Sequence, residues 1–232
     1  MARVFDDLEL GYLREVLESG KLGWYHEEGS MTTRLEQAFA QMVGVRHAIA
    51  RNSAMTALAQ AVAISGAGTG TEVICDPIVH FGGVAALSFT AVPRFADVKR
   101  DTYVMDPESV RENITPQTRA LIVTNLWGLC AELDEIRKIC DEHSIFMIED
   151  CAHVIGSYWK GKHAGTYGDL GCFSFQQGKH VPTGDSGVHW QGIGIHCAYL
   201  GSCNHAAAIL LDDIYLTQSH RQDLCLATPV DS

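Results

Sequence analysis

Asp150 ends the apolar run IFMIED at 145–150. A carboxylate at a strand end can bind a metal, bind a ribose or hold a protonated ring nitrogen. The same position also suits a plain helix N-cap. Lys179 follows the run GCFSF at 171–175 and the turn QQG at 176–178. In such a turn, partial burial lowers a lysine's pKa and lets it form a Schiff base, although a solvated loop lysine has the same surroundings. Ser174 and the Thr183-Gly184 turn could donate to a phosphate. Ser53, Ala54, Met55 and Thr56 open a predicted helix directly after a strand. Free N–H groups and the helix dipole favour an anion there, and an ordinary serine cap fits as well. Phe81, shortly after another predicted strand, could cover a flat ring or pack in the core.

Taken singly, each residue has a bland structural reading. Together they converge on pyridoxal phosphate, which needs a Schiff-base lysine, an acid for the pyridine nitrogen, a stacking group and a phosphate cup.

The elements that must position these residues alternate along the chain. Helical spacing with start and stop signals predicts helices over 6–19, from Thr32 or Thr33 to about 43, and over 54–65, 81–88, 107–113 and 133–143. Short apolar runs predict strands at 47–51, 72–75, 92–96, 120–124, 145–148 and 171–175, the fifth stopping at Glu149 and Asp150. Continuous apolar strands separated by helices imply an α/β fold, with a mainly parallel sheet covered on both faces. Chemistry in such sheets lies beyond the carboxyl ends of the strands.

Composition narrows the function classes. The 17 basic and 28 acidic residues give a net charge of -11, which argues against nucleic-acid and anionic-membrane partners. The start, MARVFDD, lacks the apolar core of a secretory signal, so a cytoplasmic location with reduced thiols is expected. The eight cysteines include no CxxC pair, and no metal site is expected. GAGTG at 66–70 lacks the GxGxxG spacing and precedes a strand, which weakens a dinucleotide-binding reading.

Several blocks resemble the DegT/DnrJ/EryC1/StrS family of sugar aminotransferases, over about residues 20–187. They are LEQAFAQMVG at 35–44, SAMTAL at 53–58, TEVICDP at 71–77 followed by Phe81, RFADV at 94–98, ITPQTRALIV at 114–123, IEDCAH at 148–153 and GTYGDLGCFSFQQGK at 165–179. The resemblance implies the large domain of a fold-type-I, aspartate-aminotransferase-like enzyme. By resemblance, Lys179 is the Schiff-base lysine and general acid/base, Asp150 meets the pyridine nitrogen, and His153 lies near the ring. Phe81 is then the stacking aromatic, and Ser174 with the backbone of Ala54 and Met55 contacts the phosphate. The implied reaction moves an amino group from Glu or Gln to a keto-sugar or keto-cyclitol, in amino-sugar, antibiotic or cell-surface polysaccharide biosynthesis. The implied assembly is a homodimer. Lys179 favours transamination over dehydration, since dehydratase relatives carry His there. SFQQGK resembles the branch acting on keto-cyclitols such as scyllo-inosose.

Two departures stand out. Ala54-Met55 replaces the commoner Gly-Thr, and Ser186 replaces a usual Gly. After Gly187 the family pattern stops. Residues 188–232 hold one basic residue, Arg221, but four of the 11 His and three of the eight Cys. His189, His196, Cys197, Cys203 and His205 match no ligand spacing. The expectation is a large domain over 1–187 and an atypical tail over 188–232, from truncation, deletion or a frameshift, with the family's small domain missing. A truncated, non-catalytic protein that binds cofactor or a partner chain is the competing reading.

Overall fold

The computed structural model describes residues 6–20, 29–183 and 187–191, the last as backbone only. Helix α1, Asp7–Ser19, opens with a capping box: Asp6 accepts from Leu8 N–H, and Glu9 reaches back to the Asp6 N–H. It closes at Gly20 in the left-handed region. Helix α2, Met31–Val43, is capped by Ser30, whose Oγ accepts from Thr33 N–H at 3.2 Å. The expected cap, Thr32 or Thr33, therefore lies inside the first turn: a serine just upstream already satisfies the free donor.

Strand β1, Ala48–Arg51, leads into α3, Ala54–Ile64, and β2, Glu72–Cys75, into α4, Phe81–Leu87. Then come β3, Val92–Phe95, α5, Pro107–Asn113, β4, Thr118–Thr124, and α6, Leu133–His143. Strand β5 is Phe146–Asp150. It includes both acids that were expected to end it, because Glu149 and Asp150 pair in register with Val123 and Thr124 on one side and Gly171 and Cys172 on the other. A small hairpin, β6 Tyr158–Trp159 and β7 Lys162–His163, precedes β8, Leu170–Ser174, and β9, Gly187–Gln191.

Seven strands form one sheet in the order β1-β9-β8-β5-β4-β2-β3. The run from β8 to β3 is parallel; β9 is antiparallel to both neighbours. The division expected at 187 thus meets a strand that pairs on both sides, and the sheet extends to Gln191. The rest of the tail, 192–232, lies outside the described residues, as do Gly184 and Ser186.

Alternation along the strands builds the core on both faces. Val73, Cys75, Ala120, Ile122 and Ile148 pack under α3 and α4, through Ala57, Leu58, Ala61, Ala85 and Ala86. The intervening Ile74, Leu121, Val123 and Met147 pack against Ile136, Ile139 and Cys140 of α6 and Val110 of α5. Phe173 of β8 and Phe175 just after it meet Phe39 of α2 edge-on, at 4.9 and 5.7 Å between ring centroids. Gly165 is required beneath that cluster: its φ is +89°, and a Cβ there would lie 2.5 Å from the Phe173 ring. Strand order reverses between β4 and β2, which leaves a crevice at the carboxyl end of the sheet.

Candidate active site

That crevice holds a cavity of about 480 Å³, lined by Ser53, Ala54, Met55, Leu58, Val79, Phe81, Thr124, Asp150, Ala152, His153, Ser174, Gln176 and Lys179. All seven residues expected from sequence (Lys179, Asp150, His153, Ser174, Phe81, Ala54 and Met55) are in it.

Asp150 is the last residue of β5 and is 1% exposed. Its Oδ1 accepts from Ala152 N–H at 3.0 Å in a turn, with no helix following, so Asp150 is not the helix N-cap its position allowed, and its side chain lines the cavity. Burial pushes its pKa up to about 6, against the pull of that N–H and of Lys179; Asp76 adds a further upward push. Lys179 is half-buried, and burial lowers its pKa below the usual lysine range, with Asp150 opposing. Its turn is closed by its own N–H donating to the Gln176 carbonyl at 2.8 Å.

Ser53 caps α3 by accepting from Thr56 N–H at 3.1 Å. The Ala54 and Met55 amides therefore open the helix at the cavity wall. Thr56 Oγ1 lies 3.1 Å from Ser53 Oγ and belongs to the cap pair. Ser174, 4% exposed, ends β8 at the same wall. Thr183 turns back on Phe175, its N–H donating to that carbonyl at 2.8 Å. Phe81 is 42% exposed, its ring 4.1 Å from that of His80. His153 has a lowered pKa, chiefly from burial and then from Lys179 and His180. Its Nδ1 is buried with no hydrogen-bond partner among the described residues.

The sequence gives no role to the residues of three features that shape the site, although the segments 76–81 and 174–179, just after strands, are where chemistry is expected. Thr124 donates to Asp76 Oδ2 at 2.6 Å, and Asp76 Oδ1 accepts from Ile78 and Val79 N–H, ordering the loop that leads to Phe81. Glu149 is fully buried on the strand face opposite Asp150. It accepts from the N–H groups of Gly165, Tyr167 and Gly168, each at 2.7 Å, and from Asn125 at 3.4 Å. Gln176 lines the cavity. The only sequence signal for these was position: Asp76 and Gln176 follow strands, Thr124 and Glu149 sit at strand ends.

Among the described residues, no group of His, Cys, Asp and Glu could hold a metal ion, and no helix is long and apolar enough to cross a membrane. The residues that line the cavity do fit pyridoxal phosphate. An amine, a buried carboxylate, an exposed aromatic ring, a helix start and an imidazole line one space.

Residues 5–190 match the profile of the DegT/DnrJ/EryC1/StrS aminotransferase family. The chain is 35% identical over 186 residues to the L-glutamine:2-deoxy-scyllo-inosose aminotransferase of Streptomyces kanamyceticus, covering 78% of this chain and 44% of that protein. It is 32% identical over 184 residues to the GDP-perosamine synthase of Vibrio cholerae, covering 79% and 49%. The crystal structure of S. venezuelae DesV in complex with a ketimine intermediate superposes with a TM-score of 0.79 at 27% identity, over 91% of this chain and 62% of that one. The chain thus spans less than half the length of the two sequence relatives.

Proposed function

This chain belongs to the DegT/DnrJ/EryC1/StrS aminotransferase family, and from that premise we propose that it serves pyridoxal-phosphate-dependent transfer of an amino group from Glu or Gln to a keto-sugar or keto-cyclitol. One observation carries the reading: a primary amine, Lys179, and a buried carboxylate, Asp150, line one cavity with the start of α3. When bound, pyridoxal phosphate supplies an aldehyde and an electron-accepting ring that eases loss of a proton from the carbon bearing the amine.

The chain's own groups have separable tasks. Asp150, with a pKa of about 6, is ionised at neutral pH and can hold a protonated ring nitrogen. Lys179, below the usual lysine range, reaches its neutral form more readily and can take up and return a proton at Nζ. The Ala54 and Met55 N–H groups and Ser174 Oγ can hold a phosphate, helped by the dipole of α3. Phe81 would offer a ring face, and His153, which lines the cavity, would lie near the ring oxygen. The proposal includes a homodimer, as the family resemblance implies, and a cytoplasmic location; light scattering with cofactor present measures the assembly.

The test is spectroscopic. Protein mixed with pyridoxal phosphate is expected to show a visible absorption band, and borohydride to fix a pyridoxyl group on Lys179. No adduct, or one at another lysine, overturns the site assignment. Loss of the band on adding Glu or Gln supports transfer. A stable band with either donor points to binding without turnover.

A further inference from the structure

The turn between β8 and Lys179 is tied at three points by Gln176. Its N–H donates to Ser174 Oγ at 3.3 Å, its carbonyl accepts from Lys179 N–H at 2.8 Å, and its Oε1 accepts from Gly178 N–H at 2.7 Å. The last bond fixes which way the amide faces, because only its oxygen can accept. Nε2 is left with two donors, and the side chain makes no other hydrogen bond among the described residues. Gln176 lines the same cavity as Asp150, His153 and Lys179.

We propose that Gln176 is a specificity-determining residue whose Nε2 donates to a neutral oxygen, a hydroxyl beside the reacting carbonyl of a polyhydroxylated ring ketone. This rests on the function proposed above. Charge decides the class of group read. The lining already holds one cation and one anion, Lys179 and Asp150, which act on each other. A carboxylate or phosphate group is met best by Arg or Lys, and Gln176 is neither. Gln176 is exposed at the cavity rim, and an uncharged amide donor whose oxygen is tied to its own turn suits an uncharged acceptor. That tie also lowers the entropy lost when the bond forms.

Gln176→Glu separates the two ends of the side chain. A carboxylate still accepts from Gly178 N–H, so the turn is kept, but the donor becomes an acceptor. Scyllo-inosose and cyclohexanone are titrated calorimetrically into the wild-type and variant chains, each with and without pyridoxal phosphate. The expected result is a loss of about tenfold in scyllo-inosose affinity, the worth of one hydrogen bond, with cyclohexanone binding unchanged. Gln176→Leu is expected to lose scyllo-inosose binding to a similar extent. An unchanged scyllo-inosose affinity in Gln176→Glu, an equal loss for both ketones, or no scyllo-inosose binding by the wild-type chain overturns the inference. Failure of the wild-type chain to take up cofactor on Lys179 is a different result. It overturns the cofactor reading, while the titrations without cofactor still judge Gln176.

Discussion

The chemistry of the site is concentrated in a few residues that cost stability. Asp150 is buried, and its pKa is raised from an ordinary 3.8 to about 6. Between those values the folded chain binds more protons than the unfolded one, so stability falls as pH rises. The penalty is absent below about pH 4 and complete above about pH 6, where a shift of this size is worth about 3 kcal/mol. Asp150→Asn keeps an oxygen for the Ala152 N–H and removes the charge. The cofactor-free variant is therefore expected to melt several degrees higher than wild type at pH 7.5 and to match it at pH 3.5. Calorimetric melts at the two pH values check this, and an equal difference at both contradicts it. The same variant is expected to take up pyridoxal phosphate less tightly at pH 7.5. Asp150 was legible in sequence because an acid ending an apolar run is conspicuous. Its neighbour Glu149 looks the same in sequence but serves three backbone donors 16 to 19 residues away. No local pattern reveals which distant N–H groups a buried acid will meet.

The elements place these residues through caps and strand ends, and here the sequence located several elements well. The helix expected at 133–143 and the strand expected at 72–75 are found with those bounds. It did less well where a single side chain decides the boundary. Ser30 rather than Thr32 or Thr33 starts α2, and β5 runs two residues further than its apolar stretch because Glu149 finds partners inside the fold. That predicts a strong dependence on Glu149 as the clasp of the 163–168 segment. Glu149→Ala leaves the Gly165, Tyr167 and Gly168 donors without their acceptor and is expected to cost about 3 kcal/mol or more. Urea unfolding measures the loss. Hydrogen exchange at those three amides is expected to speed up more than at the centre of β4. Uniform acceleration across the sheet would show only general destabilisation. Ser53→Ala tests the opposite wall: losing the α3 cap is expected to cost about 1 kcal/mol and to weaken phosphate binding, read by titration with inorganic phosphate.

At the scale of the whole molecule, charge and composition change sharply near residue 187, and an ending of the domain there followed from the sequence alone. The backbone pairing puts a strand of the sheet's interior across that position. Strand β9 aligns Gly187 to Trp190 with β1 and Gly187 to Gln191 with β8, so it bridges β1 to the remaining strands. Composition could not reveal this, because five residues of strand in a stretch of changed composition carry too few side chains to show a period. Nor does the lone antiparallel strand follow from alternating strands and helices. The consequence is that β1 and its following helix α3, which opens at the cavity, depend on β9 for their place in the sheet. A proline within β9 removes a ladder donor from an interior strand, at a cost of about 3 kcal/mol or more. Val188→Pro is therefore expected to lower the urea midpoint, to expose the Ala48–Arg51 amides to exchange, and to weaken cofactor uptake at the α3 wall. The parallel ladder from β2 to β5 should keep its relative protection. If Val188→Pro leaves the exchange of β1 unchanged, β9 is not the bridge, and the cavity wall is held by α3 packing alone.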